Sequence, residues 1–122
     1  MATYLEPKVL TFKATAAIGQ YKIVKGGADN EHVTVAAAGS DNSVGVAMGA
    51  ATVAEQFIEV AVAGGGAKVQ LGGTVAFGDK LTANASGLAV VAATTNDVVG
   101  VAMEAGVSGD IIGMVVQLSQ LP

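Results

Sequence analysis

Apolar and polar residues alternate with a period of two through most of this chain, and Gly, Asn, Asp and Ser break the alternation at short intervals. Leu10, Phe12 and Ala14 alternate with Val9, Thr11 and Lys13. Such spacing turns successive side chains to opposite sides of an extended backbone and predicts strands. Further runs of this kind cover residues 21–25, 32–36, 44–48, 57–62, 67–71, 75–77, 81–83, 88–92, 98–103 and 111–118. Between them lie Gly26-Gly27-Ala28-Asp29-Asn30, Gly39-Ser40-Asp41-Asn42-Ser43, Gly78-Asp79 and Asn84-Ala85-Ser86-Gly87. These are turn segments, because Gly adopts positive φ and Asn or Asp bonds its own backbone. About ten to twelve short strands at regular spacing predict an all-β, single-domain β-sandwich or barrel. The one stretch with helical character, residues 50–56, carries β-branched Thr52 and Val53 and reads as a loop or single turn.

The pattern also repeats. Val44-Gly45-Val46-Ala47-Met48 recurs letter for letter as Val99-Gly100-Val101-Ala102-Met103. Without a gap, Glu55 then aligns with Asp110, Phe57 with Ile112 and Val60 with Val115; upstream, Ala17-Ile18-Gly19 aligns with Ala76-Phe77-Gly78. This predicts two pseudo-repeats, at about residues 14–66 and 67–122, meeting at Gly64-Gly65-Gly66 and preceded by an extended N-terminal arm over residues 1–13. In the repeated strand Val44, Val46 and Met48 face one way and Gly45 and Ala47 the other. The second face is flat enough for a backbone or another layer to approach, either in a thin sandwich or at a subunit seam.

Composition adds a constraint. The chain has 122 residues, enough for one domain, with 23 Ala, 19 Val, three Phe and no Trp. A core of small side chains buries little area per residue, so self-association is expected. No apolar run approaches the ~18 residues of a membrane-spanning helix, and residues 1–7 lack the basic-then-apolar pattern of a signal peptide. Four lysines against Glu6 give residues 1–25 a net charge of +3; nine acids against two lysines leave −7 in the rest. An acidic chain without Arg is a poor partner for nucleic acid.

Candidate chemistry is sparse. There is no Cys, which removes thiol catalysis and thiolate metal sites. His32 is the single histidine and has no nucleophile motif beside it. Asp79 and Asp110 both follow Gly; a carboxylate pair could act as acid and base, but Gly-Asp between strands is foremost a turn. Asp29-Asn30-Glu31 lacks the ligand spacing of a Ca²⁺ loop. Gly64-Gly65-Gly66-Ala67-Lys68 lacks the Ser/Thr and helix of a phosphate loop. Gly78-Asp79-Lys80 resembles the modified hairpin of lipoyl-bearing carrier domains, although Leu81 follows the lysine. The chain is therefore expected to have no catalytic, cofactor or metal site. The alternative is a lipoyl-like carrier or small-ligand module centred on Lys80.

A more extensive resemblance covers residues 75–118. Gly78-Asp79-Lys80-Leu81-Thr82, Gly87-Leu88-Ala89-Val90, Val99-Gly100-Val101-Ala102 and Gly109-Asp110-Ile111-Ile112 together resemble the small capsid decoration, or cement, proteins of tailed bacteriophages. The resemblance implies a non-enzymatic virion protein, made in the host cytoplasm, that sits on the outer capsid surface. It implies bridging of major capsid protein subunits and self-association as a homotrimer or dimer, with no nucleic-acid or membrane partner. On this reading the N-terminal arm supplies the contacts, through Tyr4, Leu5, Lys8 and Lys13.

Overall fold

Ten of the alternating runs are strands in the computed structural model, which describes residues 8–27, 29–39, 43–93 and 96–120, the last by its backbone alone. They are β1 (Lys8–Ala14), β2 (Ile23–Gly26), β3 (His32–Val35), β4 (Ser43–Ala47), β5 (Phe57–Val62), β6 (Gly66–Gln70), β7 (Lys80–Ala83), β8 (Ala89–Val91), β9 (Asp97–Ala102) and β10 (Ile111–Gln120). Residues 75–77 differ from expectation. Only Val75 pairs, in an isolated bridge to Gly106, and Phe77 is exposed on the turn that follows. No helix occurs among the described residues.

β1–β5 form a closed barrel in the order β1-β3-β2-β4-β5, antiparallel except for the β1–β3 seam. β6–β10 form a sheet in the order β6-β10-β9-β7-β8, the same cycle opened at the equivalent seam. There the parallel pairs Lys13↔His32 and Ala14↔Val33 shrink to one bridge, Leu71↔Ala89. The two halves repeat the same strand order and are joined through Ala63-Gly64-Gly65. Their loops match bond for bond. Ile18 and Ala51 exchange backbone hydrogen bonds of 2.8 and 2.9 Å, and Val75 and Gly106 exchange bonds of 2.9 and 3.1 Å.

This correspondence corrects the expected alignment. Thr52 N–H donates to Gln56 Oε1 (2.9 Å) and Val107 N–H to Asp110 Oδ2 (3.0 Å), so Asp110 is the counterpart of Gln56. Glu55 corresponds to Gly109, both at positive φ, and Phe57 to Ile111. The second copy of this turn is one residue shorter, a gap that the ungapped sequence match concealed. Upstream, Ile18 corresponds to Val75 and Tyr21 to Gly78.

The N-terminal arm also needs correction. Lys8–Ala14 is a barrel strand, with a six-residue register against β5 from Lys8↔Val62 to Lys13↔Phe57. Its counterpart is β6, so repeat 1 begins at β1 and not at residue 14. The reason is packing: Ala14 is fully buried and Phe12 packs on the barrel core.

The flat face of the repeated strand points into the barrel. A Cβ on Gly45 would land on the Ala61 carbonyl oxygen, and one on Gly100 on that of Val115. A five-stranded barrel is narrow, and only small side chains fit its wall at that point. Ala47 lies in the repeat 1 core with Ala14, Ile18, Val24, Val33, Ile58 and Val60. The opposite row of repeat 1, Ile23–Val46–Ala61, instead joins Val69, Val99, Met114 and Val116 of repeat 2 in a second, shared core.

Candidate interaction surfaces

Of the expected contact residues, Tyr4 and Leu5 lie outside the described residues. Lys8 is exposed at the start of β1. Lys13 lies on β1, its Nζ 4.0 Å from Glu31 Oε2 and 5.7 Å from the centroid of the exposed Phe57 ring.

His32 has two carboxylate partners. Its Nδ1–H donates to Asp29 Oδ1 at 2.7 Å, and its Nε2–H donates to Glu55 Oε1 and Oε2 at 2.9 and 3.0 Å. Carboxylates only accept, so the ring satisfies both sides only as the imidazolium. The hydrogen bond to Asp29, then that to Glu55, raises the His32 pKa above its ordinary value; the His32 bond likewise lowers that of Asp29. The carboxylates approach opposite nitrogens and do not converge on one point. The cluster is a clamp between the β2–β3 and β4–β5 turns, and it has the geometry of neither a triad nor a metal centre. Among the described residues no group of three or more His, Asp or Glu is placed to hold a metal ion.

The other candidates are engaged in turns and ladders. Asp79 Oδ2 accepts from Ala76 N–H (2.8 Å) as Asp110 Oδ2 does from Val107 N–H, each behind a glycine at positive φ. Lys80 opens β7 and pairs with Val101, whereas the hairpin tip is formed by Asn84-Ala85-Ser86-Gly87. Gly64 N–H donates to the Val116 carbonyl and Gly65 accepts from Val116 N–H, so the glycine run passes along a sheet edge into β6.

Several large apolar side chains are exposed. Among them are Leu10 (55% exposed), Phe57 (68%), Phe77 (67%) and Ile111 (47%). Two positions carry the repeat symmetry, Phe57 and Ile111 opening β5 and β10.

The fold is similar to that of the base of a phage head fiber. Over 96% of this chain and 99% of that one, it superposes with a TM-score of 0.71 on the N base of head fiber gp8.5 in bacteriophage phi29, at 21% sequence identity. No protein-family model matches the chain, and no curated protein matches it. At this identity the likeness establishes the fold. It is consistent with the resemblance to phage capsid decoration proteins over residues 75–118, and the superposition spans both repeats.

Proposed function

We propose that this chain is a structural virion protein that binds the outer surface of a phage capsid and stabilises it by bridging major capsid protein subunits. It works as a homo-oligomer and without enzymatic activity or cofactor. The observation that carries this reading is the fold, shared over nearly the whole chain with the base of a phage head fiber. The engagement of Asp79, Asp110, His32 and Lys80 within turns and ladders supports it over a carrier or hydrolase. Binding only the mature lattice stabilises that lattice by linkage, and many weak sites over one shell act together.

Tyr4, Leu5, Lys8 and Lys13 are the proposed contacts, Lys13 from a barrel strand on which its ammonium lies 4.0 Å from Glu31 Oε2. The phi29 neighbour favours a second reading, a fibre base that attaches to the shell without bridging its subunits. Co-sedimentation with undecorated expanded heads, followed by heating of the decorated heads, separates the two. Attachment with a raised shell melting temperature is expected. Attachment with unchanged melting supports the fibre base, and no attachment overturns both. Deletion of residues 2–7 is expected to weaken attachment while the protein stays folded; a deletion reaching residue 13 would remove β1.

A further inference from the structure

The two repeats are identical in topology but unequal in surroundings. In repeat 1, Lys13 N–H closes the barrel seam on the Glu31 carbonyl at 2.7 Å. In repeat 2 the counterpart of Lys13, Gln70, donates to the Tyr21 carbonyl (3.1 Å), and the Gly87 carbonyl accepts from Ile23 N–H (2.8 Å). The Tyr21–Ile23 segment of repeat 1 thus sits in the seam of repeat 2. Beside it the row Ile23–Val46–Ala61, fully buried, covers the open end of repeat 2, where Val69, Val99 and Val116 are also buried.

Each half of this interface has a counterpart that no other element covers among the described residues. The open end of repeat 1 is lined by Phe12, Val44 and Val62, the counterparts of Val69, Val99 and Val116, and all three are only half-buried; Leu10 beside them is exposed. The outer row of repeat 2 is Lys80–Val101–Val115, in the same register as Ile23–Val46–Ala61, with Lys80 exposed and both valines half-buried. A tandem that packs tail on head leaves one face of each kind unpaired at its ends.

We propose that a second copy of this chain docks head to tail, the outer row of its repeat 2 (Lys80, Val101, Val115) covering the open end of repeat 1 (Leu10, Phe12, Val44, Val62) of the first. The occupant is a second copy because the chain already makes this contact once within itself, between faces of the same origin and register. Lys80 in place of Ile23 brings a charge whose stem lies on apolar surface while the ammonium reaches water, so this contact is weaker than the internal one. The contact is heterologous, and successive copies close a ring or extend a filament according to the rotation between them. The proposal rests on the self-association in the reading above and is independent of capsid binding.

The chain has no cysteine, which permits a direct test. Two full-length variants, Leu10→Cys and a mass-tagged Val101→Cys, are treated with a short bismaleimide separately and mixed. Sedimentation equilibrium of the parent chain accompanies them, with circular dichroism to verify folding. Expected are a mass that rises with concentration, a Leu10→Cys to Val101→Cys cross-link that dominates the mixture, and loss of association in Leu10→Asp. If the parent associates but each variant cross-links only to itself, or no cross-link forms, the head-to-tail contact is wrong and self-association stands. A parent chain monomeric at all concentrations overturns both. Should Val101→Cys fail to fold, Lys80→Cys, at an exposed position of the same row, takes its place.

Discussion

At the scale of single residues, the clearest difference between the repeats is one corner. Glu55 holds φ = 68°, a conformation that costs a side-chain-bearing residue about 1–2 kcal/mol, and its counterpart is Gly109 at φ = 93°. Glu55 N–H donates to the Ala14 carbonyl at 2.7 Å, as Gly109 N–H does to Leu71 at 2.8 Å, so the turn needs this backbone shape in both copies. In repeat 1 the strained residue is held by His32. The pKa of His32 is raised above 6.5 in the fold, so its stabilisation is complete below that pH and is lost as pH rises through the folded value. The pKa of Asp29 is lowered below 3.8, so its contribution is present above that pH and is lost as pH falls through the folded value. Replacing His32 with Gln is therefore expected to lower the thermal midpoint most between about pH 4 and 6.5, with a difference that shrinks toward pH 9. Thermal melts of both proteins across this range measure it, and a difference independent of pH would refute the clamp.

At the scale of elements, the repeats exchange volume between facing positions. Ala14 and Ala51 pack together in repeat 1; their counterparts are Leu71 and Gly106. A Cβ on Gly106 would lie 2.8 Å from Leu71 Cδ1 and 3.0 Å from Ile112 Cγ2, so the larger leucine requires the glycine. Two small residues and a large–small pair fill the same barrel end, as close packing demands. Gly106→Ala is expected to cost about 1–3 kcal/mol by overpacking. Leu71→Ala should cost about 2–5 kcal/mol through the cavity it leaves. The double variant should be less destabilised than the sum by about 1 kcal/mol, because the new methyl group enters the space that the leucine vacates. Denaturant unfolding of the four proteins gives the coupling energy, and strict additivity would refute the exchange.

At the scale of the whole molecule, repeat 1 closes its own barrel and repeat 2 is completed by repeat 1. Gly87 shows how closely they meet: at φ = 74° it lies where a Cβ would strike Val35, and its carbonyl accepts from Ile23. The shared core runs through both repeats, with Ile23, Ala36, Val46 and Ala61 contributed by the first. The chain is expected to unfold in one transition. Residues 66–122 produced alone should show no cooperative melt, since the seam and open end of repeat 2 would face water. Circular dichroism against denaturant tests both, and a cooperative melt from residues 66–122 would show that repeat 2 stands alone.

The sequence by itself determined the strands, most of the turns and the existence of the repeat. Alternation with a period of two is a local property, and Gly-Asp, Asn-Ala-Ser-Gly and the glycine run at 64–66 punctuate it wherever the backbone must turn. It also placed Asp79 and Asp110 in turns. It did not reveal that Lys8–Ala14 is the counterpart of β6, because the aligned residues of the two strands have no letter in common. The one-residue gap before β5 and β10 was hidden for a similar reason: the register of an antiparallel pair is decided by the partner strand, which local sequence does not name. Only the tertiary structure decided which seam closes, which face of each repeat is covered and that His32 meets Glu55, 23 positions away. Those outcomes depend on which residues distant in the chain can approach without collision or buried charge. Ile23 against Lys80, and Ala14 with Ala51 against Leu71 with Gly106, acquire meaning only once both repeats are packed together.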